Sequence, residues 1–180
     1  MLTAVPTLKK KMNIKDDHTP ESLLPVLQSI VVPGNRAQLH FEHQIIPHLL
    51  RHLDNDLIFA DVSCVSLLFN LLSQVLDHHD VAATEPLVTS AVVTHAIKHA
   101  VKGLQTFPDN RDVLANGAAL IWIGAANHSA ECLAEGALSA LETASKVNHF
   151  ANLEVGSRHP FRFKLGIIKH ALSRLLEHAD

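Results

Sequence analysis

A chain of 180 residues is long enough for one domain with a real hydrophobic core and too short for several. Hydrophobic residues make up 47%, yet aromatics only 4% with no Tyr, so Ala, Leu, Val and Ile must do the packing, which favours closely apposed helices over aromatic-lined pockets. The net charge of −3 excludes a basic face that would neutralise a phosphate backbone, and apart from Lys9-Lys10-Lys11 no basic run occurs, so no nucleic-acid partner is expected.

In chain order, residues 1–18 are polar, carry Pro6 and a basic-then-acidic run, and are expected to form a mobile tail. A helix is expected over 20–32, with Thr19 as N-cap, Pro20 at the first helical position and "VPGN" as its stop. Helical spacing resumes at Arg36 and runs to His52 and Leu53, and Pro47 should kink or split it. After Asp54-Asn55-Asp56, "LIFADVSCVSLLFNLLSQVL" is expected as one long helix, apolar on more than one face. Thr84 and Pro86 mark the next helix start. Its stripe is expected at Val88, Ala91, Val92, His95, Ala96, His99, Val101 and Leu104. The hinge Phe107–Asn110 then leads into "RDVLANGAALIWIGAAN". A further helical stretch, "HSAECLAEGALSALETASKV", should divide near Gly136. The last helix carries a stripe at Phe161, Leu165, Ile168, Leu172 and Leu175. Strand signals are scarce, and an all-α fold follows.

Catalytic signatures are missing from this pattern. The sequence has no Gly-x-Ser-x-Gly, P-loop, Gly-x-Gly-x-x-Gly or Cys-x-x-Cys, so neither an enzyme nor a cofactor is expected. Cys64 and Cys132 lie in apolar helical patterns and are expected as small buried hydrophobes. No window has the roughly 18 apolar residues of a membrane span, and the N-terminus lacks the apolar run of a signal peptide. A soluble, intracellular protein, cytoplasmic and without a membrane partner, is the expectation. The 14 histidines are unusual. His48 with His52, and His95 with His99, are i,i+4 pairs that share a helix face and suit zinc or iron, which makes a His-rich metal-binding protein the alternative reading. No His-x-x-x-Glu accompanies either pair, so ordinary histidines on amphipathic helices are favoured.

Repetition supplies the positive reading. "QIIPHLLRHLDND", "VVTHAIKHAVKGLQTFPDN" and "EGALSALETASK" each describe a medium helix ending in a polar break, and each precedes a helix rich in apolar or small residues. Gly136-Ala137-Leu138-Ser139-Ala140-Leu141 and Gln44-Ile45-Ile46-Pro47-His48-Leu49 resemble the middle helix of the armadillo repeat family. The stretches running from Cys64 to Leu72 and from Ala171 to Leu175 resemble its third helix, and Pro108-Asp109-Asn110 its turn. The resemblance covers residues 35–179 and implies an all-α, right-handed α-solenoid of about three armadillo-like units. Those units fall near 35–78, 83–126 and 127–179, within a domain spanning 19–180 whose terminal helices act as caps. HEAT repeats are close in pattern, and a compact bundle is the alternative architecture.

The resemblance further implies a scaffold that binds a protein or peptide partner along a groove lined by the third helices. Matching by the family pattern places its groove Trp at Ser66, Ile121 and Ser173, and its groove Asn at Asn70, Ala125 and Glu177. Only Asn70 carries the family residue. Trp122 stands one residue out of that register and is expected to pack, becoming the groove anchor if the register slips by one. The candidate surface is therefore Ser66, Asn70, Trp122, Ser173 and Glu177.

Overall fold

The computed structural model describes residues 45–76, 90–146 and 161–177, with side chains over 46–76, 90–146 and 166–177. The expectations for the tail 1–18, the helix 20–32 with Thr19 and Pro20, and the start at Thr84 and Pro86 lie outside the described residues. Every regular element among them is an α-helix. These are α1 (Ile45–Leu53), α2 (Asp56–Phe59), α3 (Val62–Leu76), α4 (Ser90–Thr106), α5 (Arg111–Ala125), α6 (Ser129–Ala134), α7 (Ala137–Ser145) and α8 (Phe161–Leu176).

Local chemistry sets the boundaries. In α1 the spacing of Ile46, Leu49, Leu50 and Leu53 places all four on one face, and all four are buried. Pro47 is its third residue and is exposed, in the first turn, where a missing N–H costs little; the part of the expected kink upstream of 45 is outside the described residues. The long helix expected after Asp56 is in fact two. Helix α2 is a single turn, and the chain breaks at Ala60 and Asp61 because the Asp61 carboxylate accepts from Ser63 N (2.8 Å) and Cys64 N (3.3 Å), capping a new helix. The Phe107–Asn110 hinge holds as expected. Phe107 N donates back to the Gly103 carbonyl (2.9 Å), closing α4, and the Asn110 side chain accepts from Asp112 N (3.1 Å) and Val113 N (2.9 Å), opening α5. Gly136 divides α6 from α7 at φ +79°, a left-handed conformation that L side chains rarely adopt.

Helix α5 is the hub, packing along α3, α4 and α8. Two series of neighbours result: α1 touches α4 and α4 touches α7, while α3 touches α5 and α5 touches α8. Crosswise, α1 packs on α3, α4 on α5 and α7 on α8. Small residues make the hub possible. A Cβ on Gly103 would come within 2.5 Å of the Phe69 ring, one on Gly117 would strike Leu104, and one on Gly124 would come within 2.8 Å of Ile97. The buried side chains form one continuous cluster to which all eight helices contribute, from Ile46 in α1 to Leu175 in α8. Cys64 and Cys132 are buried thiols, not joined in a disulfide, and burial pushes the Cys132 thiol up to about 12, so it is inert.

In α4, Ala96, His99, Val101 and Leu104 of the expected stripe are buried and are joined by Val93, Ile97 and Ala100, whereas Ala91 is exposed and Val92 and His95 are half-buried. Neighbours on both flanks select this face: α5 and α7 both pack against α4. In α8, Ile168 and Leu175 are buried as expected and Leu172 is half-buried, while Ala171 joins the core; the side chains of Phe161 and Leu165 are outside the described set.

Candidate functional site

Along α5, the residues not fully buried are Arg111, Asp112, Asn116, Ala119, Trp122 and Ile123. At 100° per residue, the last five lie within an arc of about 120°. Ile121 and Ala125, the positions matched to the family's groove pair, lie outside this arc and are buried at 0% and 1% exposure. Trp122, one residue on from Ile121, lies on this arc, half-buried and packed against the core as expected. Ser66 and Asn70 are half-buried one turn apart on α3, while Ser173 on α8 and Glu177, the residue just past its end, are exposed.

Two residues that the sequence patterns did not single out tie these helices together. Asn116 Nδ2 donates to the Ser66 carbonyl (3.0 Å) and to Ser66 Oγ (3.2 Å), joining α5 to α3. Arg174 Nη1 donates to the Trp122 carbonyl (3.0 Å), and its guanidinium lies 4.4 Å from the centre of the Trp122 ring, joining α8 to α5. A stacked guanidinium of this kind contributes about 0.5–1 kcal/mol at a half-exposed site. Arg174 was legible as a polar residue in the last helix, but its place over Trp122 depends on how α8 crosses α5.

The histidines separate. His48 is exposed on α1 and His52 is half-buried; burial, then the charges of His48 and Arg51, hold the His52 pKa below its usual value. Neither joins the donor group formed by the second pair. There, His95 Nε2 lies 2.8 Å and His99 Nε2 2.9 Å from the same oxygen, Asp54 Oδ1, and the two nitrogens are 3.2 Å apart. His95 and His99 come from adjacent turns of α4. Asp54 comes from the α1–α2 turn, held by Asp54 N on the Leu50 carbonyl (3.0 Å) and, at the next residue, by the Asn55 cap of α2. The carboxylate that the sequence patterns failed to provide thus arrives from a polar break more than forty residues away.

The electrostatics of the cluster follow from burial. His99 is buried beside the Phe59 ring, with ring centres 5.9 Å apart. That burial lowers its pKa more than the Asp54 hydrogen bond raises it, so the ring is held neutral. For Asp54, burial works upward, but the hydrogen bonds from His95 and His99 outweigh it and the carboxyl stays below its usual range. Nδ1 of His99 is buried without a hydrogen-bond partner among the described residues. The cluster opens on a cavity of about 430 Å³ that is also lined by Lys98, Lys102, Gln105 and Glu135.

No family model, curated protein or solved structure matches this chain. Among the described residues, no helix is long and apolar enough to cross a membrane.

Proposed function

We propose that this protein is an interaction scaffold, an armadillo-like α-solenoid of about three units that binds a segment of a partner protein along the face shared by α3, α5 and α8. The order of helix contacts carries this reading. A stack of two-row units requires middle helices to touch middle helices and third helices to touch third helices, and α1–α4–α7 and α3–α5–α8 are in contact in that order. On this reading α6 serves as the short first helix of the last unit, and the right-handed course of the stack follows from the family resemblance.

The face suits an extended peptide. Ser66, Asn70 and Asn116 offer polar groups that can bond peptide backbone, and Trp122 with Arg174 offers a rigid, flat anchor at the centre, the residue types that dominate binding energy. Glu177 and Ser173 extend the strip along α8.

Trp122 is the only tryptophan, so its fluorescence reports on this surface alone. Peptides selected from a displayed random library on the immobilised full chain are expected to shift Trp122 emission and to bind Asn70→Ala and Arg174→Ala at least about tenfold more weakly, consistent with loss of interface anchors. Selected peptides that bind these variants with unchanged affinity, or that leave Trp122 emission unaltered, would overturn the proposed groove.

A further inference from the structure

The contacts among Asp54, His95 and His99 pose a proton-placement problem. With Asp54 ionised, both Nε2 atoms satisfy its oxygen only if each bears a hydrogen. The third edge of the triangle then sets two N–H groups against each other at 3.2 Å. Moving one hydrogen to Nδ1 repairs that edge, because one Nε2 can accept from the other, but it sets a nitrogen lone pair against the carboxylate oxygen at 2.8 or 2.9 Å. A doubly protonated ring restores the N–H to N–H conflict. No arrangement of protons on the two rings matches all three edges.

A single cation does. All three atoms become donors to one centre, and the spacings already fit. Ligands about 2.1 Å from an octahedral ion lie about 3.0 Å apart in cis positions, and those of a tetrahedral ion about 3.4 Å apart. The three observed edges, 2.8, 2.9 and 3.2 Å, form a facial tripod close to the octahedral value. The three donor atoms all lie within 4.8 Å of one another.

We propose that Asp54 Oδ1, His95 Nε2 and His99 Nε2 bind one divalent transition-metal ion of the zinc and cobalt class, with the remaining coordination positions open to the cavity. Two imidazoles and one carboxylate form a borderline donor set that selects such ions over calcium or magnesium, which prefer all-oxygen sites. The neighbouring ammonium of Lys102 is drawn aside, 3.5 Å from Asp56 Oδ1 and 4.1 Å from the centre of the Phe59 ring, so its charge is partly compensated away from the tripod. The ion would also tie the α1–α2 turn to α4. This site lies on the middle-helix side of the molecule and is independent of the α3–α5–α8 groove.

Calorimetric titration of the full chain with Zn²⁺, after chelator treatment, is expected to show one equivalent bound at least about tenfold more tightly than any other. The first equivalent of Co²⁺ is expected to give d–d bands shifted from those of the aqueous ion, as nitrogen replaces water in its coordination shell. Asp54→Asn and His95→Gln replace side chains that are 50% and 39% exposed, so both variants should keep the wild-type helix content while losing the tight equivalent and the cobalt bands. Zn²⁺ should also raise the melting temperature of the wild type but not of the double variant. An isotherm shared by wild type and double variant would show that scattered surface histidines hold the metal, and would overturn the site. The wild-type cobalt spectrum decides the matter even if a variant misfolds, because a spectrum identical to that of aqueous Co²⁺ is incompatible with this tripod.

Discussion

Gly103→Ala isolates the packing at the hub. Gly103 lies in the last full turn of α4, and an added Cβ would stand 2.5 Å from Phe69 Cε2 and 2.7 Å from Phe69 Cζ, distances that real methyl groups do not adopt. The ring has little room to retreat. It is 0% exposed, and on Gly117 of α5 an added Cβ would lie 3.5 Å from the same Cε2. Phe69 is thus wedged between two helices that approach it through glycine. Overpacking of this kind costs about 1–3 kcal/mol. Alanine returns about 0.8–1 kcal/mol of helix propensity, so the net loss should be about 0–2 kcal/mol. Gly166→Ala is the control, since its Cβ would meet only His170 at 3.6 Å, an ordinary contact. There the propensity gain stands alone, and stability should rise by about 0.5–1 kcal/mol. Urea unfolding followed by circular dichroism resolves both, as a slope of about 1–3 kcal/mol per molar converts these values into clear midpoint shifts of opposite sign. Adding Phe69→Leu to Gly103→Ala should recover part of the loss, with a coupling of at least about 0.5 kcal/mol. A Gly103→Ala variant that gains as much stability as Gly166→Ala would refute the close approach of α3 and α4 at this point.

Three further outcomes are expected. Within the hinge, Pro108→Ala should cost only about 0.5–1 kcal/mol, through greater freedom of the unfolded chain, and leave helix content unchanged. Asn110→Ala removes the cap of α5 and should cost about 1 kcal/mol, with most of the loss retained in Asn110→Gln, whose longer side chain caps poorly; equal stability of all three proteins would show that the hinge is not capped as described. For metal-free protein, His99 and His52 both have folded pKa values below 6.5, each lowered first by burial. The unfolded chain takes up protons that the folded chain refuses, so stability is full above about pH 6.5 and declines as pH falls through that value towards the folded pKa. Urea midpoints should be lower at about pH 5.5 than at about pH 7.5, and His99→Gln should shrink the difference. A higher midpoint in acid would mean that the Asp54 contact outweighs burial.

The sequence by itself determined the helices and their ends. Local rules are enough for that: the spacing of Ile46, Leu49, Leu50 and Leu53 makes one apolar face, Pro108 and Asn110 stop one helix and cap the next, and Gly136 permits a turn that other residues resist. Where a local rule was overlooked, the error was local too. Asp61 is an N-cap hidden inside an apolar run, and it split one expected helix into α2 and α3. What the tertiary structure decided is everything that depends on the angle and register between helices. A rotation of α5 by one residue, 100°, exchanges Ile121 for Trp122 at the surface, and single-helix periodicity cannot resolve that step when α5 is apolar over most of its circumference. The same limit hid Asp54. Its carboxylate meets His95 and His99 only because α1 ends beside α4, so a donor set separated by more than forty residues exists in the packed molecule and nowhere in the linear pattern.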